Sequence, residues 1–236
     1  FLFTRFLDRT PVVERLAALL ERTDERRLVD LCSGSSGPLC EVLDRLAEEH
    51  GLDVSATLTD LYPNVACFDG LRARPCGRID AVDSPVDARR VPTTLDGVRT
   101  LFAGLHHFAP AEARAILADA AAERRPIAVF EVSERHPRLL AVLPLLPFAV
   151  WAMTPWLRPW SLRRLLLTYL VPLVPLLVFW DGLVSCCRTY TVPELEALIA
   201  DLDTDGYRIE VGQDRVRGLP ARVTWLLGWP VSASAD

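Results

Sequence analysis

The sequence predicts an α/β protein with a mostly parallel sheet that helices cover on both faces. Over the first 132 residues, short apolar runs of strand length alternate with helical patterns, which is typical of parallel strands joined by helices. Two further strands near the end of the chain flank a short polar turn, so we expect them to pair antiparallel. The 236 residues are 50% hydrophobic, which is sufficient for one domain with its own core.

The individual elements follow from the spacing of the apolar residues. Helical spacing predicts a helix that begins after Pro11, a second that ends at Gly51, and a third over Ala111–Ala122. Val192–Leu202 predicts a further helix, with Pro193 in its first turn. The predicted strands, in chain order, are Leu28–Cys32, Val54–Leu58, Ile79–Val82, Val98–Leu105, Ile127–Val132, Tyr207–Val211 and Val223–Leu227.

The composition argues against several functions. All 26 basic residues are arginine, so no lysine amine is available for a Schiff-base enzyme or a P-loop nucleotidase. The formal net charge of −5 leaves no excess of cations to replace phosphate counterions, so we expect no nucleic-acid partner. The six cysteines lack the spacing of a zinc site, and we expect reduced thiols, a cytoplasmic protein and no metal. These cysteines are Cys32, Cys40, Cys67, Cys76, Cys186 and Cys187.

One segment interrupts the alternation of strands and helices. Residues 135–180, the apolar insertion, contain five arginines and no acidic residue, so this segment is positive inside a negative protein. Most of it consists of two uncharged runs, Leu139–Leu157 and Leu165–Trp180. The first run approaches the roughly 20 apolar residues that a membrane span needs, but prolines in both runs disfavour a regular span. We therefore expect a folded lid of short helices.

The same segment suggests what the protein binds. Aromatic side chains beside unpaired arginines suit an amphipathic molecule with an anionic head, or the face of an anionic membrane. Trp151, Trp156 and Tyr169 are its candidate contacts to a small hydrophobic ligand. The alternative is a plain apolar lid or a homodimer contact, in which the arginines pair with acids elsewhere in the fold. The sequence leaves both interpretations open.

Small and acidic residues follow the predicted strands. Asp30 ends the first strand, and a turn of small residues precedes the next helix, where free N–H groups favour an anionic group. Asp60 ends the second strand, where a carboxylate can hold both ribose hydroxyls. Asp87 follows the third strand, where a carboxylate can meet an adenine amine. The small residues of the first turn are Cys32, Ser33, Gly34, Ser35 and Gly37.

A histidine pair follows the fourth strand at the mouth of the same crevice. His106 and His107 lie there because the carboxyl ends of parallel strands meet at one edge of a sheet. Each of these residues, taken alone, is explained by a helix cap or a solvated loop. Four such positions in the correct order, each at the end of a strand, favour a binding site for a nucleoside.

These stretches resemble the motifs of class I S-adenosylmethionine-dependent methyltransferases. LVDLCSGSSGP (28–38) looks like the first motif, around the methionine part of the cofactor, and LTDLYP (58–63) looks like the second. VDARRVP (86–92) is similar to the motif that meets the adenine. GLHHFAP (104–110) and PIAVFEV (126–132) resemble the fourth motif and the strand after it. The last helix and two strands fit the family's ending, with a seventh strand inserted antiparallel.

The resemblance covers nearly all of the chain except the apolar insertion. It implies one Rossmann-like domain over residues 1–236, S-adenosylmethionine as the cofactor, and methyl transfer to an acceptor. It assigns the cofactor to Asp30, the turn residues, and two pairs at later strand ends. These pairs are Asp60 with Leu61 and Asp87 with Ala88. In the first turn Cys32 and Ser36 replace glycines of the family pattern, which implies altered rather than lost cofactor binding.

Methyl transfer requires an aligned acceptor in a dry pocket, and a general base helps where the acceptor is a hydroxyl or an activated carbon. His107 is the candidate base, with His106 beside it; alternatively, both histidines only pack against the cofactor. Glu131 ends the fifth strand and either orients the acceptor or bonds a neighbouring turn. Asp181 and Tyr190 follow the insertion and either touch the acceptor or serve as a helix cap and a core aromatic.

Two rival functions remain on the same scaffold. An aminopropyl transferase needs an acidic pocket for a polyamine, which the arginine-rich insertion disfavours. A non-catalytic protein that binds the cofactor, or that helps assembly at a membrane, is the second. We expect a cytoplasmic enzyme that acts on a small hydrophobic acceptor, peripheral to the inner face of a membrane where the insertion contacts lipid.

Overall fold

The computed structural model describes residues 8–34, 37–74, 78–158, 160–202, 205–217 and 221–231. Seven strands form one sheet, in the order β3-β2-β1-β4-β5-β7-β6. Their bounds are β1 (Arg27–Asp30), β2 (Ser55–Leu58), β3 (Ile79–Ala81), β4 (Val98–Phe102), β5 (Ile127–Glu131), β6 (Tyr207–Arg215) and β7 (Arg222–Pro230). Strand β7 runs antiparallel to both of its neighbours, and the other six point the same way. The predicted Rossmann-like fold is confirmed.

Helices cover both faces of this sheet and make up most of the insertion. The first predicted helix is confirmed and begins at Thr10, just before Pro11. The cap at Gly51 is confirmed, since Gly51 adopts φ +65° and its amide donates to the carbonyl of Ala47. The helices are α1 (Thr10–Thr23), α2 (Leu39–His50), α3 (Val65–Arg72), α4 (Pro110–Ala122), α5 (Pro137–Val142), α6 (Leu146–Met153), α7 (Leu162–Leu165), α8 (Leu173–Arg188) and α9 (Val192–Ile199).

Two predicted strands are shorter in the structure, for the same reason. Strand β1 ends at Asp30 because Cys32 adopts a left-handed φ of +56°, which breaks the extended backbone. Strand β4 ends at Phe102 because Ala103 adopts φ +51°, and a single 3-10 turn over Leu105–His107 follows. Both strands therefore turn sharply at the edge of the sheet where the site residues lie.

Helix α3 was absent from the sequence prediction. It is short, contains Gly70, and buries only Phe68, so its apolar pattern is weak. The available signal was Asn64, whose side chain caps the helix by accepting a hydrogen bond from the amide of Cys67.

The core is divided by the sheet into two layers. Helices α1 and α2 pack on one face, where Leu16 and Leu43 are fully buried. Helices α4 and α9 pack on the other face, where Ile116 and Leu195 are buried. Because helices cover both faces of the sheet, a ligand is expected to bind at the carboxyl ends of the parallel strands.

The apolar insertion folds into short helical pieces, as predicted. Each of Pro144, Pro147 and Pro155 lies in the first turn of a new piece, where a missing N–H is tolerated. These prolines therefore divide the segment without ending it: Pro137–Trp156 remains one helical run of 20 residues. The expectation that the prolines prevent a span-length run was wrong in this respect.

Within the described residues, this run is long and apolar enough to cross a membrane, with a mean hydropathy of 1.7 and 11% of its length buried. A second stretch, Leu162–Leu170 followed by α8, qualifies only if its two parts are taken together. Those parts are bent by 78° at Pro172. Helix α8 continues past the predicted end of the insertion and returns the chain to the sheet at Arg188.

Candidate active site

The candidate site begins with the tight turn between β1 and α2. This turn places Cys32, Gly34 and Gly37 in the left-handed region, with φ values of +56°, +52° and +44°. A Cβ atom added at Gly34 would meet no other atom within 4 Å, so this turn borders open space. Predicted residue Ser35 lies outside the described residues.

Hydrogen bonds join this turn to the end of β2. The hydroxyl of Ser33 donates to the carbonyl of Asp30 at 2.8 Å. The amide of Gly34 donates to Oδ2 of Asp60 at 2.9 Å, and the amide of Tyr62 donates to Oδ1 at 2.8 Å. The structure therefore brings the first two predicted carboxylates to the same turn.

Asp30 is buried at the base of the site. Its Oδ1 accepts a hydrogen bond of 2.9 Å from the hydroxyl of Thr100 on β4. Burial, helped by the charge of the neighbouring Asp60 and opposed by hydrogen bonds from Ser33 and Thr100, raises the pKa of Asp30 to about 7. A cation placed beside this carboxyl would stabilise its ionised form.

Cys32 shows that the three predicted carboxylates share one region. Burial, together with the negative charges of Asp60, Asp30 and Asp87, raises the pKa of its thiol to about 12. The thiol is therefore protonated and unreactive at neutral pH. All three carboxylates lie near enough to this sulfur to raise its pKa, so the ends of the first three strands bring them to one region.

Asp87 is already engaged by a neighbour. The guanidinium of Arg89 makes two charge-assisted bonds to its carboxylate, which lowers the pKa of Asp87, and also bonds Glu112 at 2.7 Å. The side chain of Ala88 is buried in the core, so this residue faces the site through its backbone only. Leu61 is exposed beside Asp60. Their cofactor contacts stay predictions.

The histidine pair lies on the 3-10 turn after β4. Nδ1 of His106 lies 2.8 Å from Oε2 of Glu131, and the amide of His106 donates to Oε1 at 3.1 Å. Glu131 is buried, and both of its carboxylate oxygens contact His106. Of the two predicted roles, this geometry favours a bond to the neighbouring turn rather than a contact with an acceptor. The imidazole of His107 is exposed and contacts that of His106, with ring centroids 4.3 Å apart and the ring planes tilted by 38°.

His107 has the character of a neutral base. Partial desolvation lowers its pKa, and the adjacent His106 lowers it further, whereas Glu131 and Asp181 oppose this. At neutral pH the ring is therefore unprotonated and accepts a proton. Arg188, at the end of α8, holds the turn in place by donating to the carbonyls of both histidines, at 3.1 and 2.9 Å.

Two of the predicted acceptor contacts lie near this turn. Asp181 on α8 is exposed and close enough to act on the charge of His107. Tyr190 is buried, and its hydroxyl donates to the carbonyl of Phe108 at 2.8 Å. Tyr190 is therefore a core aromatic that supports the histidine turn, and this placement does not favour its contact with an acceptor.

The remaining predicted contacts join the two arms of the insertion, which are the helical run Pro137–Trp156 and the bent stretch from Leu162 to Arg188. The indole nitrogen of Trp151 donates to the carbonyl of Thr168 at 2.8 Å, and the hydroxyl of Tyr169 donates to the carbonyl of Trp151 at 2.6 Å. Trp156 is highly exposed. The contacts described for these rings are with other parts of the insertion, so their roles at the acceptor stay predictions.

Sequence reasoning missed three residues that shape the site. Thr100 bonds Asp30, Arg89 engages Asp87, and Arg188 clamps the histidine turn. A polar Thr100 in a strand that the sequence predicts to be buried was a signal for the first. Arg188 is 81 residues from His107 in the chain, and no local pattern joins them.

The site combines an open backbone turn with three carboxyl groups in one region, of which Asp87 is paired with Arg89. No group of three or more histidine, cysteine or acidic side chains suited to a metal occurs in the part of the chain that the structure describes.

Comparison with models of protein families and with curated proteins finds no match. Solved structures do match. The mitomycin 7-O-methyltransferase MmcR has a TM-score of 0.51 at 17% identity, over 92% of this chain and 53% of its own. The O-methyltransferase NcsB1 from neocarzinostatin biosynthesis, crystallised with S-adenosylmethionine and a naphthoic acid, has a TM-score of 0.51 at 17% identity, over 93% and 57%.

A third structure, the methyltransferase domain of bacterial CtHen1, has a TM-score of 0.52 at 13% identity, over 93% of this chain and 97% of its own. The chain thus spans about half the length of the first two proteins and nearly all of this domain. At such identities the likeness establishes the fold. The chain has the class I S-adenosylmethionine-dependent methyltransferase fold, as its motifs indicate.

Proposed function

We propose that this protein transfers a methyl group from S-adenosylmethionine to a small, apolar or amphipathic acceptor. The observation that carries the proposal is the convergence of Asp30, Asp60 and Asp87 on the open turn after β1. Carboxylates grouped beside an open turn favour a cationic ligand, and the carboxyl ends of parallel strands are where open α/β sheets bind ligands.

When bound, S-adenosylmethionine supplies a methyl group on a sulfonium, whose sulfur keeps the electron pair of the broken carbon–sulfur bond. The chain's own residues do the rest. Asp60 holds the ribose hydroxyls, and the turn backbone holds the methionine part. A ring nitrogen of His107 takes the proton that an acceptor hydroxyl loses as its oxygen bonds to the methyl carbon. Glu131 and His106 act as positioning residues for that ring.

The nature of the acceptor follows from what surrounds His107. Helix α8 contacts the histidine turn at one end and exposes apolar side chains at the other. An acceptor that approaches along this helix needs an apolar body, and the arginines of the insertion favour an anionic head. The five free thiols of the described residues support a reducing, cytoplasmic location.

Calorimetric titration with S-adenosylmethionine and S-adenosylhomocysteine tests this proposal. We expect both to bind, and Asp60→Ala to abolish measurable binding because the ribose loses its acceptor. Asp53→Ala removes an exposed aspartate before β2 and is the matched control, which should bind as the native chain does. Failure of the native chain to bind either ligand would falsify the proposal.

A cofactor-binding protein without turnover is the second candidate, favoured by the exposed apolar insertion that suits assembly at a surface. Incubation with methyl-labelled S-adenosylmethionine and a lipid extract separates the two. A labelled product that His107→Ala reduces supports the enzyme. Ligand binding with no labelled product from any extract supports the second candidate.

A further inference from the structure

We propose that the apolar insertion embeds in one leaflet of an anionic bilayer and gives membrane-dissolved acceptors access to His107. The embedding stands independently, whereas the access route rests on the proposed methyl transfer. The occupant of the exposed apolar surface is thus a lipid leaflet with anionic head groups, rather than a second copy of the chain.

The first observation is the exposed apolar area. Sixteen of the twenty large apolar side chains that are exposed in the described residues lie in the insertion. Soluble proteins rarely leave a contiguous apolar surface of this extent in water, because each exposed group forgoes its transfer free energy. The most exposed members include Leu145, Phe148, Trp156, Leu162, Leu170 and Trp180.

The second observation is charge. Residues 135–180 carry five arginines and no acid, within a chain of net charge −5. Arg135 forms an ion pair with Glu194. For this one residue the alternative prediction holds, in which arginines of the insertion pair with acids elsewhere in the fold. Among the described residues, Arg158 and Arg163 have no carboxylate within salt-bridge distance. An anionic head group supplies the missing partner, at about 1 kcal/mol per arginine near the surface.

The third observation is the position of the aromatic residues. The loop between the two arms combines Trp156 and Trp160 with Arg158, whose guanidinium lies 4.7 Å from the centre of the Trp160 ring. Tryptophan and arginine together are typical of the level of lipid head groups, where the rings meet acyl chains and the charges meet phosphates. This loop therefore belongs at the head-group level.

The same charges argue against a second copy as the occupant. A twofold contact places the same surface of each copy against the other. Each copy would then bring its unpaired arginines toward those of its partner, and residues 135–180 contain no carboxylate to separate them. Such a contact is penalised by like charges, whereas an anionic leaflet is attracted by them.

The arms lie within one leaflet and do not cross the bilayer. Both ends of the insertion are attached to the rest of the fold, at one end by the Arg135–Glu194 pair to α9 and at the other by Arg188 to the histidine turn. A crossing by the first arm therefore requires a return by the second. That arm bends by 78°, and its longer part, α8, has 16 residues, or about 24 Å against a hydrocarbon core of roughly 30 Å.

Helix α8 connects this surface to the site. Its first half exposes Leu173, Leu176 and Leu177, and its last residue, Arg188, bonds the carbonyl of His107. The proposed route of an acceptor dissolved in the leaflet runs along this helix, from Leu177 past the exposed Trp180 toward His107. The acceptor class is accordingly a lipid-like molecule whose reacting group lies at the head-group level.

Flotation of the full chain with vesicles tests the embedding. We expect it to float with phosphatidylcholine vesicles that contain phosphatidylglycerol, and less with phosphatidylcholine alone or at high salt. Arg158→Glu with Arg163→Glu should weaken binding at least about thirtyfold, since two arginines contribute about 1 kcal/mol each. Leu170→Glu with Leu177→Glu should abolish it. Arg74→Glu and Val65→Glu change exposed residues outside the insertion and should float as the native chain does.

Sedimentation velocity on the same samples identifies the alternative occupant. A dimer that stays with the soluble fraction, and that Leu170→Glu with Leu177→Glu dissociates, would overturn the proposal in favour of a second copy. Equal flotation with neutral and anionic vesicles, unaffected by salt, would overturn the role of the arginines and hence the anionic leaflet. S-adenosylmethionine binding is measured separately, so vesicle binding without cofactor binding would refute the proposed function and leave the embedding standing.

Discussion

The carboxyl ends of the strands and the apolar insertion differ in which side chains they bury and which they expose. At the strand ends, charged side chains such as Asp30 and Glu131 are buried and each has hydrogen-bond partners. In the insertion, apolar side chains such as Leu170 and Trp156 face outward. Buried polar groups indicate a polar ligand site, and exposed apolar groups indicate an apolar environment. One chain therefore shows two kinds of interaction surface.

The largest effect that tests this contrast concerns packing. Phe68→Ala should lower the free energy of unfolding by about 3–5 kcal/mol, because it leaves a cavity in the core. Trp156→Ala should change it by less than about 0.5 kcal/mol, because that ring packs little. Urea unfolding without lipid measures both. A comparable loss for Trp156→Ala would mean that the insertion is a packed part of the fold.

The next prediction concerns Asp30. The pKa of Asp30 is raised by folding, so ionisation of this carboxyl opposes folding. The free energy of unfolding is therefore highest below the pKa of Asp30 in the unfolded chain and falls as the pH rises toward 7. Asp30→Asn keeps a neutral group beside Thr100 and should stabilise the protein by about 1–3 kcal/mol at pH 8. Thermal unfolding from pH 4 to pH 8 measures this. An equal effect at both pH values would contradict a titrating, buried carboxyl.

A smaller effect is expected in the pH dependence of methyl transfer. Because the pKa of His107 is lowered, the rate should keep its plateau until the pH falls below the usual range of histidine. Glu131 raises that pKa, so Glu131→Gln should move the acidic limb to still lower pH. Initial rates against pH measure both. A limb that stays in place when His107 is replaced by Ala would assign it to another group.

The smallest effect is at the turn itself. Cys32 holds a left-handed conformation that costs a non-glycine residue roughly 1–2 kcal/mol. Cys32→Gly removes this strain but adds flexibility to the unfolded chain, so a net gain of up to about 1 kcal/mol is expected. Thermal unfolding measures this gain, and a loss would show that the half-buried thiol packs more tightly than its strain costs.

The fold was predictable to the extent that its elements have strong periodic patterns. The seven strands and their directions were expected, since each is a short apolar run between turns. Helix α3 was not, because one buried phenylalanine makes no pattern. The ends of β1 and β4 were predicted too late, because the left-handed Cys32 and Ala103 show no sequence signal.

The site divides in the same way. Asp30, Asp60 and Asp87 were expected at one edge because strand order determines where strand ends meet. The partners of these residues were not, because Arg89, Thr100 and Arg188 act through side-chain geometry that depends on packing. Glu131 left two interpretations open, and its contact with His106 could be seen only once both were placed.

The two hydrogen bonds from Arg188 have a practical consequence. They attach α8, the last helix of the insertion, to the histidine turn. Excising residues 135–180 to obtain a more soluble enzyme would leave Arg188 in the chain but remove the first half of α8, the helix that holds Arg188 against the proposed base. Inactivity of such a truncated protein would not test whether the insertion embeds in a membrane. Single substitutions on the exposed surface of the insertion test this directly.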